Sequence, residues 1–573
     1  MSKFIKKYSS WIAIIAVLVV GVLASRDLFK HNFYFNMHDD LQMMRQLELE
    51  KCFKDGQVPC RWVPDMGYGF GLPLYNYYPQ LPYLFGEIFR LASFPFNDVA
   101  KLTFALGIIA SGVAIYLLVK EFFGPLGAVL SAVYYMWAPY HAVDVYVRGA
   151  MNESWAFVWF PLILWASYKL IKESKVNYLL ALSVSIAGLL LTHNLMVMIF
   201  APVGMLWVIG WVVVTKNFKS IQKLLISGLL AIGLSATFTL PAIFEQKFVH
   251  IETLVSDYFA YTGHFTSLNQ LFFSRFWGDG PSVFGTNDGL AFPIGQVHWI
   301  LVSVAAVLLG LKIIKSRKLA PLDMIIIFGL LVGTGAAFMT HERATFIWLL
   351  IPVLKFVQFP WRFLTLNVLG YSLVVGSLFY LLKRFSFFKS TKVQIVILFL
   401  LSLTVIAFNW SYFRPVHSGP LTDEEKLSGE AWRLQTQAGI RDYLPISAKD
   451  DPEFAQGRLA EIYKGNGEIL ETSQGTNWAS LKVNFPKDDG TLRVNIFDYP
   501  NWKAFVDEKE LEVYVDQKEE FGRIYIDIPK GEHNISLKLF DTPLRKYSNI
   551  VSLIAWAGLI AFVIKRKIHE NKS

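Results

Sequence analysis

Runs of roughly twenty apolar residues recur along this chain, each long enough to cross the hydrocarbon core of a bilayer. No other feature restricts the fold as tightly. In lipid, a segment must satisfy its own backbone hydrogen bonds, which leaves helices for runs of this kind. Composition enters as a check: of 573 residues, 54% are hydrophobic and only 17% are charged, against about 25% charged in a soluble domain. The fold class is therefore a polytopic α-helical membrane protein with about twelve spans. They are expected at 10–29, 99–119, 124–141, 152–171, 177–192, 195–214, 221–243, 297–314, 321–340, 361–382, 392–411 and 548–565. The first run follows Lys3, Lys6 and Lys7 and stands where a signal peptide would. Its length, and Arg26–Asp27 after it in place of a clean small-residue site, favour a retained helix.

The net charge of +9 invites a nucleic-acid reading, but the distribution of the cations excludes it. Lys120, Lys169/Lys172/Lys175, Lys216/Lys219/Lys223, Lys312/Lys315/Arg317/Lys318, Lys383/Arg384/Lys389/Lys392 and Lys565/Arg566/Lys567 all fall on alternate connections, on the same side as the N-terminus. That is the positive-inside bias. It places the protein in the cell membrane with both termini cytoplasmic, and it names membrane lipid, not nucleic acid, as the partner. The other side carries the unusual polar chemistry: residues 30–98, "RGAMNE", "THN", 244–296, "THER", "QFPWR" and 412–547.

Three parts follow: a membrane domain over 1–411 with its outer loop at 30–98, an extracytoplasmic β-rich domain over 412–547, and a last span with a basic tail over 548–573. In the β-rich part, apolar residues alternate at Leu481/Val483/Phe485, Leu492/Val494/Ile496, Leu511/Val513/Val515, Ile524/Ile526/Ile528 and Ile535/Leu537/Leu539. Turn sequences separate them, the pattern of an antiparallel β-sandwich. It reads as a folded cap, or as a sugar-binding module in which Trp478, Tyr499 and Trp502 stack on rings. The two cysteines, Cys52 and Cys60, close "CFKDGQVPC" in the outer loop. A disulfide persists outside the cytoplasm, and two thiols without a nearby histidine pair do not make a metal site.

Several outer turns carry ionisable groups at membrane depth: His38, Asp39 and Asp40 after the first span, Arg148 and Glu153, His193, Glu245, Arg343 and Arg362. Taken singly, an Arg or His at a helix end anchors the interface, and Asp39 or Asp40 caps the helix that follows. Taken together, such residues mark a functional site. An acid beside several cations suits glycosyl transfer from a lipid phosphate. A carboxylate, Asp39 or Asp40, takes the acceptor's proton, while His38, Arg148, Glu153, His193, Glu245, Arg343 and Arg362 form the substrate and phosphate side.

At these residues the chain resembles the polyprenyl-phosphate-dependent glycosyltransferases of the GT-C fold. More closely, it is similar to the bacterial 6-pyruvoyl-tetrahydropterin synthase-related membrane domain family. The likeness runs through "HDD", "WVPDMGYGFGLPLYNYYPQLPYLFG", "RGAMNES", "LTHN", "LPAIFE", "QFPWRFL" and "YPNWKAFVD…IPKGEHNISLKLFDTPLR". It implies an essential acid in the first outer loop, here Asp39 or Asp40. It also implies inversion at the anomeric carbon, a polyprenyl-phosphate-linked sugar donor, and a glycan, lipid or protein acceptor. GT-C enzymes differ in whether they use a divalent metal such as Mg or Mn. Asp40, Glu153 and Glu245 are the carboxylates that would hold one, and "HDD" is too short to decide. Two other classes stay open: a lipid or glycan transporter or flippase, which needs midplane charge and an inverted repeat, and a non-catalytic scaffold displaying the β domain.

Overall fold

The computed structural model describes residues 2–30, 32–285, 287–455 and 457–570; the side chains of residues 2–9, with Lys3, Lys6 and Lys7, lie outside the described residues. Two compact units, interleaved along the chain, organise them. The first comprises Met1–Gln42, Ile88–Ala231 and Val255–Leu421; the second comprises Met43–Glu87, Ile232–Leu254 and Thr422–Ser573.

Among the described residues, nine helices are long and apolar enough to cross a membrane, and Ser10–Ala24 and Val176–Leu190 are shorter apolar helices. The protein is a multi-pass membrane protein. The expected spans 99–119 and 124–141 meet in one helical run, Phe96–Met136, of 41 residues. At 1.5 Å per residue it would measure about 60 Å, twice the hydrocarbon thickness. It breaks at Gly124 (φ 72°), before Pro125. There glycine accepts a backbone angle that costs other residues energy, and proline withholds its N–H. The second half ends at Met136, short of the expected 141, and a separate helix, Pro139–Tyr146, follows with proline at its first turn. In the first unit the helices at Pro360–Leu382 and Met151–Glu173 form the interior: 94% and 78% of their apolar windows are buried, against 17% for Thr391–Tyr412. Two short strands also belong there. β1 (Phe33–Phe35) pairs antiparallel with β2 (Ser418–Pro420).

The second unit holds the C-terminal β region: β3 (Ala460–Lys464), β4 (Glu468–Gln474), β5 (Trp478–Phe485), β6 (Gly490–Phe497), β7 (Trp502–Val506), β8 (Lys509–Leu511), β9 (Arg523–Ile528) and β10 (Gly531–Leu539). They form a five-stranded sheet in the order β4-β5-β10-β7-β8 and a three-stranded sheet in the order β3-β6-β9. Each named pair is antiparallel. The alternating residues of β5, β6, β9 and β10 are buried as their period of two requires. The run Leu511/Val513/Val515 departs from this. β8 stops at Leu511, because the chain leaves that sheet and Tyr514 bridges to Tyr525 of β9.

Two of the three aromatic residues considered for sugar stacking are core residues: Tyr499 and Trp502 are buried, and their rings lie 5.8 and 5.6 Å from Trp62. Trp478 is half-buried and donates its Nε1–H to Asp55 at 3.0 Å. Cys52 and Cys60 are joined in a disulfide. Inside that loop Gln57 accepts from the backbone N–H groups of Arg61 (2.8 Å) and Trp62 (2.9 Å).

Candidate functional site

The "HDD" loop is held at both ends. At its start, β1 pairs with β2, and the Asn36 N–H donates to the His417 carbonyl at 3.3 Å. Further along, the N–H groups of His38 and Asp39 donate to the carbonyls of Val147 (3.1 Å) and Arg148 (2.8 Å). Those carbonyls are available because the helix Pro139–Tyr146 ends in a tight turn, with Arg148 N–H on the Val143 carbonyl and Ala150 N–H on the Asp144 carbonyl, both at 2.8 Å. Gly149 sits in this turn with φ 61°, and a Cβ there would lie 2.3 Å from the Met37 sulfur. Both the angle and the contact require glycine. At the loop's far end, Gln42 donates its side-chain amide to the Gly149 carbonyl (2.8 Å) and to an Asp39 carboxylate oxygen (3.1 Å). His38 is exposed, with its Nε2 2.8 Å from the Asp279 carbonyl; Asp39 and Asp40 are half-buried.

Beside the turn lies a buried cluster of two acids and two arginines. Arg148, 7% exposed, donates to Asp144 Oδ1 (2.5 Å), and its second terminal nitrogen lies 2.9 Å from Glu153 Oε2. Its guanidinium stacks over the Trp361 ring, 4.3 Å from the centroid. Glu153 also accepts from the Tyr140 hydroxyl (2.7 Å) and from Arg362 Nε (3.2 Å). Arg362 spends another nitrogen on the Val357 carbonyl and Gln358 Oε1, both at 2.8 Å. Burial, and then the negative charge of Glu153, push the Asp144 carboxyl well above its ordinary range. Its Oδ2, with no hydrogen-bond partner among the described residues, is the natural seat for that proton. Arg148 moves the other way: burial would lower it, but Glu153 holds it above its ordinary value. Two guanidinium groups thus face two acids, one of which, Asp144, burial pushes toward its neutral form.

His193 is half-buried and caps the helix Asn194–Thr215, its Nδ1 accepting from the Leu195 N–H at 3.2 Å. Burial, and then the charge of Arg362, pull it down to about 3; Glu153, Arg148 and Asp39 also act on its ring. It is therefore neutral near pH 7, with the proton on Nε2.

The structure thus brings Asp39, Arg148, Glu153, His193 and Arg362 into one electrostatic neighbourhood, with His38 and Asp40 on the same clamped loop. Arg343 is exposed, in the turn where its N–H donates to His341 Nδ1. Glu245 belongs to the second unit, where its carboxylate is taken by Arg545 (2.7 Å), Thr542 (2.5 Å) and Asn76 (3.1 Å). Among the described residues, no group of three or more His, Cys, Asp or Glu side chains is gathered as metal ligands. Sequence reasoning missed Tyr140, Asp144, Gln42 and Trp361. For Asp144 a signal existed: an acid four residues before an arginine in an apolar stretch, the spacing of one helix face.

No family model matches the chain. An uncharacterised protein of Lactococcus lactis subsp. cremoris (strain MG1363) is 24% identical over 251 residues, covering 42% of this chain and 41% of that protein. Among solved structures, the arabinofuranosyltransferase AftD from mycobacteria is similar at a TM-score of 0.42 and 15% identity, over 71% of this chain and 27% of that one. The Archaeoglobus fulgidus oligosaccharyltransferase is similar at a TM-score of 0.42 and 12% identity, over 72% of this chain and 55% of that one. The chain therefore spans less than two thirds of the length of each of these proteins.

Proposed function

We propose that this protein is an integral-membrane glycosyltransferase of the GT-C type. It moves a sugar from a polyprenyl-phosphate donor to a glycan, lipid or protein acceptor on the outer face of the cell membrane. The observation that carries this reading is the pair of backbone bonds from His38 and Asp39 to the Arg148 turn. They hold two half-exposed carboxylates against a buried cluster that contains two arginines. In this reading Asp39 or Asp40 removes the proton from the acceptor hydroxyl. The acceptor oxygen bonds to the anomeric carbon as the bond from that carbon to the phosphate oxygen breaks, and the lipid phosphate departs with the electron pair. Arg148 and Arg362, with the Nε2–H of His193, supply the positive field that the departing phosphate needs.

Asp39→Asn and Asp40→Asn test it. Both are near-isosteric at half-exposed positions, so the fold should persist. One of them should lower transfer from a polyprenyl-phosphate sugar by about two to four orders of magnitude, the range for acid–base groups. Full transfer in both variants would refute the assignment of the base. The orientation is tested separately by an impermeant thiol reagent on intact cells. Single cysteines in residues 312–318 should resist it and ones beside Trp478 should react; the reverse pattern would move the site to the cytoplasmic face.

A further inference from the structure

The second unit contains a small polar cavity that the proposed reaction does not use. Its volume is about 230 Å³, and Gln57, Arg61, Asn477, Lys538, Asp541 and Arg545 line it. That is below the ~300–1,000 Å³ of sites for drug-sized ligands, so it suits one small group. Two of its cations are locked in place. Arg61, 6% exposed, donates to Asn76 (3.1 Å), the Thr237 carbonyl (3.0 Å) and Asn549 (2.7 Å), and its Nε lies 3.4 Å from Asp541. Arg545, 1% exposed, donates its Nε to Glu245, and its Nη2 has no hydrogen-bond partner among the described residues. An arginine nitrogen buried without an acceptor is costly. The third cation, Lys538, is exposed on β10 at the rim. Three cations stand against the carboxylates of Asp541 and Glu245, and Asp55 faces Lys538 as well. The two guanidinium groups also oppose each other: burial and then the field of Arg545 help to bring Arg61 down to about 10, although Asp541 acts the other way.

We propose that this cavity is a binding site for a single phosphate group, gripped by Arg545 and Arg61 from within and closed by Lys538 at the rim. An anionic oxygen on Arg545 Nη2 would satisfy the unpartnered donor. Planar guanidinium donors match phosphate geometry well. The group can come from two sources, free phosphate or a lipid headgroup. Position makes the second source concrete, because the apolar helix Pro543–Glu570 begins two residues after Asp541.

The test uses the full chain, delipidated in detergent, with inorganic phosphate titrated against chloride at equal ionic strength. Native mass spectrometry with added phosphatidylglycerol forms the second arm. The wild type should bind phosphate saturably. Lys538→Glu, at an exposed position, should weaken binding at least tenfold, while the control Lys503→Glu should leave it unchanged. If phosphatidylglycerol displaces phosphate and Lys538→Glu removes both, the natural ligand is a headgroup. If phosphate binds equally with the lipid present, it is the free ion. The proposal falls if the wild type shows neither saturable phosphate binding nor lipid retention, or if Lys503→Glu and Lys538→Glu weaken binding alike. None of these readouts depends on glycosyl transfer.

Discussion

Each unit buries an ion-pair network, and the two are built differently. In the first, Asp144, Arg148, Glu153 and Arg362 share one cluster, with one carboxylate oxygen unpartnered among the described residues and half-exposed acids on the adjoining loop. In the second, Glu245 and Arg545 form a pair 1–3% exposed, and the carboxylate is closed off by Thr542 and Asn76. Burial and charge are common to both, so neither feature by itself singles out reactive groups. The distinguishing feature is access. The first network adjoins carboxylates that solvent reaches. The acid of the second is spent on tying Asn76 to Thr542 and Arg545 at the start of the last helix.

The sharpest way to break this comparison is to remove one acid from each network. Glu245→Ala leaves Arg545 buried without its carboxylate. Losing one partner of a buried pair costs about 3–5 kcal/mol, so the detergent-solubilised protein should melt well below wild type. Whatever remains folded should keep its specific activity. Asp144→Asn replaces a carboxyl already pushed toward its neutral form by a near-isosteric amide, and Glu153 still pairs Arg148. Its cost should stay within about 1 kcal/mol, the size of one ordinary hydrogen bond. Equal losses in the two variants would show that the networks are alike. A milder probe of the second unit is reduction of the Cys52–Cys60 disulfide. A loop this short should be worth about 2–3 kcal/mol on chain-entropy grounds, read as a fall in melting temperature with no effect on transfer.

Much of this architecture is legible in the chain. The apolar runs announce the helices, the period of two announces most of the strands, and ionisable residues at turns announce Arg148, Glu153 and Arg362. The failures share a physical cause: local pattern does not encode distant partners. Glu245 carries the same signal as Glu153, yet its arginine stands 300 residues further along the chain. Asp144 and Tyr140 were hidden because residues 139–146 look like the tail of a membrane run, whereas they form a separate helix that turns back on the site. Tyr499 and Trp502 could be stacking platforms or core by composition alone, and only the packing against Trp62 decides it.

A smaller effect separates positioning from phosphate contact inside the first network. Arg148 reaches Asp144 and Glu153 with two different nitrogens, and a lysine can hold one of them but not both. Arg148→Lys should therefore lose one charged hydrogen bond, about 1.5–3 kcal/mol, visible in melting. If Arg148 also serves the departing phosphate, turnover at matched temperature should fall further while binding of the acceptor stays unchanged. Arg362→Lys gives the parallel measurement. Turnover that follows stability alone in both variants would assign the arginines to positioning only.

The remaining expected effect, that of His193, depends on pH. Its ordinary value near 6.5 is pulled down to about 3 by burial and then by Arg362. Between those values the unfolded chain binds a proton that the folded chain does not, so stability rises with pH there. The neutral ring's contribution is therefore fully present above about 6.5 and is lost as the pH falls toward 3. His193→Gln removes the titrating group, and the side-chain oxygen of Gln can still accept from the Leu195 N–H. In that variant the rise of melting temperature between pH 5 and pH 6.5 should be shallower than in wild type, with little change at pH 8. Turnover should show no inflection near 6.5 assignable to this ring, because it stays neutral across that range. A wild-type slope that survives the substitution unchanged would place the titrating group elsewhere and remove His193 from the electrostatic neighbourhood of Arg362.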